Sequence, residues 1–125
     1  MTTSIINRIE IGKQLENLAA IYLQNKNLKL LERNFRSKFG EIDLIFQDSI
    51  QEQIVFVEVR YRKSISFGEA ANTVNKSKQN KLIKTAHCYL NYKFRELPIN
   101  CRFDVISCQG PLDRIKIDWI IGAFC

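Results

Sequence analysis

The sequence predicts an α/β protein in which helices flank a central mixed β-sheet. Two segments repeat apolar residues at three- and four-residue spacing, which is typical of helices. Five other segments are rich in β-branched, aromatic or alternating apolar residues, which is typical of strands. The resulting order, α-β-β-β-α-β-β, is too irregular for a doubly wound parallel fold. With 125 residues and no linker or internal repeat, the chain 1–125 is expected to form one domain.

The first elements are a helix, an extended segment and a strand. Helical periodicity covers residues 8–25, and a short extended segment is expected at 28–36. Residues 40–47 alternate along the chain as a strand does. The apolar residues expected on one face of this strand are Ile42, Leu44 and Phe46. The other face is expected to carry Glu41, Asp43 and Ile45.

The second half of the chain contains three more strands and a helix. Valines and aromatic residues predict a strand over 54–62, and a loop containing SFGEAAN follows it. A helix is expected over 74–92, and strands over 101–107 and 114–120. The apolar stripe of this helix consists of Leu82, Ala86, Tyr89 and Leu90. The lysines expected on roughly the opposite side are Lys78, Lys81 and Lys84.

Positive charge is concentrated in one segment. The chain carries a net charge of +6, and residues 60–84 alone hold seven basic residues and one acidic residue, which is also +6. Concentrated charge of one sign attracts polyanions, so nucleic acid is a candidate partner. The alternative is a solvated helix face with no ligand.

Several classes of protein are disfavoured by the composition. The longest apolar run, WIIGAFC, is far shorter than the ~20 residues that span a bilayer, and the N-terminal residues lack signal-peptide features. The protein is therefore expected to be soluble and cytoplasmic, with no membrane partner. Four cysteines without a CxxC pair and a single histidine disfavour a zinc site. Buried, reduced cysteines are expected instead.

Three acidic residues occupy positions that usually pack. Asp43 and Glu58 lie within otherwise apolar strands, and Glu16 has small or apolar neighbours on the first helix. Buried carboxylates cost several kcal/mol unless they are paired or bound to metal. Ion pairs with basic neighbours are one explanation. The other is that Asp43 and Glu58, on strands about 4.8 Å apart, converge on one Mg²⁺ or Mn²⁺ ion.

The sequence resembles the YraN family of uncharacterised bacterial proteins over about residues 12 to 107. The motifs that carry the resemblance are GKQLENLAAIYL, LLERNFRSKFGEIDLI, VFVEVRYR, SFG and RFDVI. That family is similar to the restriction-endonuclease-like superfamily, with its PD-(D/E)XK nuclease motif, and within it to archaeal Holliday-junction resolvases. The resemblance implies a restriction-endonuclease-like core with the active site on the second and third strands.

The resemblance also assigns roles to individual residues. It implies that Glu16, Asp43 and Glu58 bind the metal and that Arg60 occupies the lysine position of the motif. The Val59 carbonyl, from the same strand as Glu58, is expected as an additional ligand. Lys78 and Gln79 resemble a further polar position of such sites. Two other positions depart from the pattern, with Ile42 in place of proline and Leu15 in place of glycine. Arginine is always protonated and cannot act as a base, although it can bind phosphate.

These observations lead to a hypothesis and two rivals. The hypothesis is a metal-dependent endonuclease acting on DNA, with branched or junction DNA as a substrate. The first rival is a non-catalytic nucleic-acid-binding module, which Arg60 favours. The second, a protein-interaction domain, would leave the basic segment and the carboxylates without a role.

The residues expected to contact nucleic acid are Arg60, Arg62, Lys63, Lys78, Gln79, Lys81 and Lys84. Junction cleavage would require a homodimer, and the WIIGAF end is either core or a dimer surface.

Overall fold

The computed structural model describes residues 2–63, 74–94 and 99–124, with side chains from residue 7 onward. The predicted order of elements is confirmed. The elements are α1 (Thr2–Asn25), β1 (Lys29–Ser37), β2 (Gly40–Asp48), β3 (Gln53–Arg62), α2 (Lys76–Lys93), β4 (Cys101–Gln109) and β5 (Lys116–Phe124). The SFGEAAN loop and Cys125 lie outside the described residues.

The five strands form one mixed sheet, as the sequence predicts. Their order in the sheet is β1-β2-β3-β4-β5. β3 and β4 are parallel, and the other neighbours are antiparallel. α2 lies between the two parallel strands in the chain, because parallel neighbours need a long connection whereas antiparallel ones can be joined by a turn.

The two faces of the sheet are covered by different helices. On the α1 face, apolar side chains of the helix pack on alternate residues of β2 and β3. This cluster includes Leu15, Ala19, Leu23, Leu44, Phe46, Val55 and Val57. The α2 face has its own cluster, which includes Ile45, Ile54, Phe56, Leu82, Ala86 and Tyr89. Burial on both faces explains why β3 is almost continuously apolar at its start.

The expected side for Ile42 was wrong. Ile42 packs in the α2-face cluster, although Leu44, two residues later, packs in the α1-face cluster. The change coincides with Asn34 on β1, which has a φ of 51°, a conformation that breaks the regular alternation of a strand. Asn34 lies between the cross-strand pairs Arg33–Leu44 and Phe35–Ile42, so both strands change side together at the level of Asp43.

The bounds of the terminal elements also differ from the expectation. α1 begins at Thr2 rather than at residue 8, and the last strand is Lys116–Phe124 rather than 114–120. A turn delays this strand, since the Arg114 amide donates to the Pro111 carbonyl at 2.9 Å. The WIIGAF end forms much of β5. Trp119 and Ile120 pack against the two core clusters, while Ile121 is 57% exposed.

The cysteines that the structure describes carry no disulfide. Cys108 is buried, whereas Cys88 and Cys101 are only partly buried. Burial raises the pKa of the Cys108 thiol to about 11, so this side chain remains a neutral thiol at physiological pH. Among the described residues, no helix is both long and apolar enough to cross a membrane.

Candidate active site

The two strand carboxylates meet in a cavity between the sheet and α2. The cavity has a volume of about 320 Å³. Its described lining consists of Gly40, Glu41, Asp43, Glu58, Lys78, Lys81 and Leu82. The sequence therefore predicted correctly that Asp43 and Glu58 lie on neighbouring strands with their side chains close together. The same cavity also brings two lysines of α2 to this acidic pair.

Asp43 takes its position from a break in the sheet. Regular pairing between β2 and β3 extends from Asp48 opposite Gln53 to Leu44 opposite Val57, one residue short of Asp43. The Asp43 carboxylate replaces the next ladder contact, because its Oδ2 accepts a hydrogen bond from the Val59 amide at 2.8 Å. This bond fixes the Asp43 carboxylate beside the backbone of the strand that carries Glu58.

Asn34 connects the first helix to the site. When the Asn34 side-chain amide is oriented so that its oxygen and its nitrogen both have suitable partners, the nitrogen donates to Glu41 Oε1 at 2.9 Å and to Glu16 Oε1 at 3.1 Å. Glu41 also forms an ion pair with Arg36 at 3.0 Å. Sequence reasoning missed Asn34, although an asparagine within a strand is an unusual choice that often marks a left-handed residue.

Neighbouring carboxylates increase the affinity of Asp43 and Glu16 for protons. Burial is the main cause of the raised pKa of Asp43, and the nearby charge of Glu58 adds to it. The hydrogen bond from Val59 opposes these effects, yet the pKa of Asp43 rises from 3.8 to about 8. The pKa of Glu16 is also raised, chiefly by burial and further by Glu41 and Glu58, although the Asn34 hydrogen bond lowers it. The site concentrates negative charge that a cation would stabilise.

Lys78 supplies one cation to this acidic site. Its Nζ lies 2.9 Å from Glu58 Oε2, and the Glu58 side chain is only 9% exposed. The expectation that Lys78 faces away from the apolar stripe was wrong. Lys78 precedes Tyr89 by eleven residues, which is close to three helical turns, so both residues lie on nearly the same side of α2.

The beginning of α2 is fixed by two polar side chains. Asn75 caps the helix, since its Oδ1 accepts from the Lys78 amide at 2.8 Å. Gln79 donates from Nε2 to the Val74 carbonyl at 2.7 Å. In this structure Gln79 therefore stabilises the helix N-terminus, and its expected contact with nucleic acid remains a prediction. The cap holds the backbone of Lys78 in place beside Glu58.

The remaining basic residues border the site to different degrees. Lys81 lines the cavity, whereas Lys84 lies with its Nζ 5.4 Å from the centre of the Phe39 ring. Lys38 lies over the same ring at 5.2 Å. Arg60 is partly buried two residues after Glu58 on β3 and is not part of the described cavity lining. Arg62 and Lys63 are exposed at the end of that strand.

Phe39 is a second residue that sequence reasoning missed. It occupies the turn between β1 and β2, directly before Gly40 of the cavity lining. Its amide donates to Ser37 Oγ at 3.0 Å, and Ser37 Oγ lies 3.0 Å from Thr85 Oγ1 of α2. These contacts hold the turn against α2, and the Phe39 ring lies close to two lysine ammonium groups. An aromatic residue within a polar turn was the available signal.

The carboxylates do not form a complete metal-binding group by themselves. Within the part of the chain that the structure describes, no set of three or more His, Cys, Asp or Glu side chains is arranged to hold a metal ion. Glu16 influences the pKa of Asp43, and Asn34 links its carboxylate to Glu41 of the cavity lining. The set of Glu16, Asp43 and Glu58 as metal ligands remains a prediction. Asp43 and Glu58 offer carboxylate oxygens, and Mg²⁺ is commonly held by one or two carboxylates while it keeps several waters.

The fold and the site together define a mixed α/β protein with a carboxylate pair and basic helix at one end of its sheet. Residues 15–108 match the uncharacterised protein family UPF0102. A UPF0102 protein of Vibrio parahaemolyticus is 50% identical over 119 residues, covering 95% of both chains. A UPF0102 protein of Vibrio vulnificus is 45% identical over 120 residues, which again cover 95% of both chains. A third, from Nitrosomonas europaea, is 44% identical over 113 residues, which cover 90% of this chain and 92% of the relative.

The chain belongs to UPF0102, which is the YraN family that its motifs resemble. The matched region extends from Leu15 to Cys108 and therefore includes Glu16, both strand carboxylates and all of α2. The site described above thus lies within the part of the chain that defines the family.

Proposed function

We propose that this protein is a metal-dependent endonuclease that hydrolyses phosphodiester bonds in DNA. The observation that supports the proposal most strongly is the meeting of Asp43 and Glu58 in one cavity with Lys78 and Lys81. Paired carboxylates attract a divalent cation, and lysines attract phosphate. Both groups favour phosphodiester hydrolysis, because each can stabilise the negative charge that develops in the transition state.

Mg²⁺ or Mn²⁺ is the proposed cofactor. Asp43 and Glu58 would hold the ion, with the Val59 carbonyl as a further oxygen, and Glu16 would complete the acidic set from the first helix. When bound, such an ion polarises the phosphate and lowers the pKa of a water molecule. The Val59 amide keeps the Asp43 carboxylate in position at 2.8 Å, so this ligand is already oriented.

The basic residues are assigned to phosphate. Arg60 would contact the scissile phosphate, since its guanidinium is always charged and suits bidentate contacts. The residues proposed to hold the flanking backbone are Arg62, Lys63, Lys78, Gln79, Lys81 and Lys84. Phe39, with Lys38 and Lys84 around its ring, adds a surface on which an unpaired base could stack. Among branched substrates, the class that the family resemblance implies, flaps contain such bases in their single-stranded arm.

A second candidate function is a nucleic-acid-binding module without turnover. Two observations favour it. Arg60 stands at the lysine position of the motif, and no complete metal-binding group is present among the described residues. In that case the basic side chains would bind the nucleic acid, and Lys78 would neutralise Glu58 permanently.

A cleavage assay distinguishes the two candidates. Labelled four-way junction, flap, single-stranded and duplex DNA would be incubated with protein in Mg²⁺, Mn²⁺ or EDTA. Asp43→Asn is the test variant, and Asp113→Asn, whose side chain is 78% exposed on a turn, is the matched control. The proposal expects metal-dependent cleavage by the natural protein and the control and at least a ~100-fold loss in Asp43→Asn, as expected when a group that stabilises the transition state is removed.

Two results would contradict the nuclease proposal. Equal cleavage by Asp43→Asn would show that Asp43 is not part of the site or that a contaminant cuts the DNA. Binding of DNA by the natural protein with no cleavage of any substrate would support the binding module. In both cases, affinity that falls with added salt would indicate phosphate contacts, because each one releases a counterion.

The proposed partner is DNA, and the proposed location is the cytoplasm. A homodimer would place two sites across a symmetric junction. Sedimentation of the protein alone and with junction DNA would test this assembly, and one protein chain per junction at saturation would contradict it.

A further inference from the structure

The Lys78 ammonium group occupies a position beside Glu58 that a metal ion bound by Glu58 would need. Its Nζ lies 2.9 Å from Glu58 Oε2, within ion-pair distance of a carboxylate that is only 9% exposed. The lysine side chain itself is 51% exposed, so it extends from solvent into the site. The Lys78 side chain, which neutralises Glu58, can therefore move away from it.

We propose that Lys78 is a resident cation that competes with the divalent metal for Glu58 and moves to a substrate phosphate when DNA binds. Metal and DNA would then bind cooperatively, since each one favours the same position of Lys78. This inference rests on the proposed function of the site. It adds a coupling between the two ligands, in which Lys78 acts as a positioning residue rather than as a catalytic residue.

Charge and geometry support the competition. The Lys78 ammonium group lies 2.9 Å from Oε2 of Glu58, a residue of the cavity lining, and a divalent ion at the same oxygen would repel it. The Glu58 side chain is buried, and the carboxyl group of Asp43 is its hydrogen-bonded neighbour in the cavity. Binding of metal therefore requires Lys78 to withdraw, and that requirement lowers the affinity for metal in the absence of DNA.

The structure also explains how Lys78 can move without disturbing the helix. Its backbone amide donates to the Asn75 side chain at 2.8 Å, so the main chain stays fixed. The four-carbon side chain of lysine is flexible and carries a single compact charge. Lys81, one turn further along α2, lines the same cavity. A phosphate between the two lysines would attract Lys78 away from Glu58.

Linkage makes the effect reciprocal. If DNA raises the affinity for metal by a certain factor, metal must raise the affinity for DNA by the same factor. Removing the charge of Lys78 should raise the affinity for metal, which is part of the effect that DNA has in this proposal. We expect Lys78→Met to bind Mn²⁺ about 5- to 20-fold more tightly than the natural protein, within the usual range of coupling between sites.

The test is calorimetric titration with Mn²⁺, alone and in the presence of a four-way junction whose phosphorothioate linkages resist hydrolysis. The variants are Lys78→Met, Lys78→Arg, which keeps the charge, and Lys76→Met, an exposed lysine on the same turn of α2. The expected result is tighter Mn²⁺ binding in Lys78→Met alone. The junction should strengthen Mn²⁺ binding in the natural protein but not in Lys78→Met.

The outcomes separate this inference from the proposed function. Mn²⁺ binding that is unchanged or weaker in Lys78→Met would overturn the competition while the metal site stands. An equal effect of the junction in the natural protein and in Lys78→Met would overturn the transfer to phosphate. If neither protein bound Mn²⁺, the proposed function itself would fail, and the coupling with it.

Discussion

Replacing Asp43 with asparagine should stabilise the metal-free protein at pH 8. Burial and the charge of Glu58 raise the pKa of Asp43 to about 8 in the folded state, from an ordinary value of 3.8. Between these two values the unfolded chain releases the proton of Asp43 more readily than the folded chain does. The contribution of Asp43 to stability is therefore most favourable below about pH 4 and becomes less favourable as the pH rises toward 8. Asparagine does not titrate and avoids this loss.

The size of the effect has an upper limit and an offset. At 1.36 kcal/mol per pH unit, the interval between 3.8 and about 8 corresponds to roughly 5–6 kcal/mol. The substitution also weakens the hydrogen bond that Asp43 accepts from Val59, because a charged acceptor binds an amide more strongly than a neutral one does. Subtracting about 1.5–3 kcal/mol for a buried hydrogen bond to a charged group leaves an expected net stabilisation of about 2–4.5 kcal/mol at pH 8.

Urea unfolding in EDTA at several pH values between 4 and 8 measures this difference directly. The free energy of unfolding of Asp43→Asn should equal that of the natural protein near pH 4 and exceed it increasingly toward pH 8. Asp113→Asn, with its exposed side chain, should show no such trend. A pH-independent difference, or a variant less stable than the natural protein at pH 8, would refute the electrostatic account of the site.

Three further predictions concern the rest of the fold. Asp104 is fully buried and accepts hydrogen bonds from Arg102 and from the Trp119 indole, so Asp104→Ala should cost about 3–5 kcal/mol in urea unfolding, and a loss below about 1 kcal/mol would contradict that role. Asn75→Ala should remove about 1 kcal/mol by deleting the cap of α2, whereas Asn75→Asp should retain the stability; equal values for the two variants would exclude capping. Burial raises the pKa of Asp48, but backbone amides and Arg102 lower it below 3.8. The stabilisation that Asp48 provides should therefore be present above about pH 4 and disappear as the pH falls further. Asp48→Asn should make the free energy of unfolding less dependent on pH in this acid range, and an unchanged dependence would count against the prediction.

The order of the elements could be predicted because local patterns determine it. Alternation and helical spacing depend on residues a few positions apart, and these identified both helices and all five strands. The pairing of β2 with β3 follows from the short polar turn between them. The convergence of Asp43 and Glu58 could be predicted for the same reason, since it requires only that two neighbouring strands present carboxylates to one face.

The errors arise where single residues override the pattern. Asn34 adopts a φ of 51° within β1 and moves Ile42 to the opposite face of the sheet, which simple alternation does not anticipate. The side of α2 on which Lys78 lies could have been derived from its spacing to Tyr89, but it was predicted incorrectly. Its contact with Glu58 could not be derived, because it depends on how α2 packs on the sheet.

Paramagnetic broadening by Mn²⁺ tests the central claim most directly. Small amounts of Mn²⁺ would be added to ¹⁵N-labelled protein, and the amide signals of the chain would be followed by NMR. The account predicts that signals of Asp43, Glu58 and Val59 broaden first, that Lys116 on β5 is unaffected, and that Asp43→Asn abolishes the selective effect. Broadening centred elsewhere, or none in the natural protein, would contradict a metal site at the carboxylate pair.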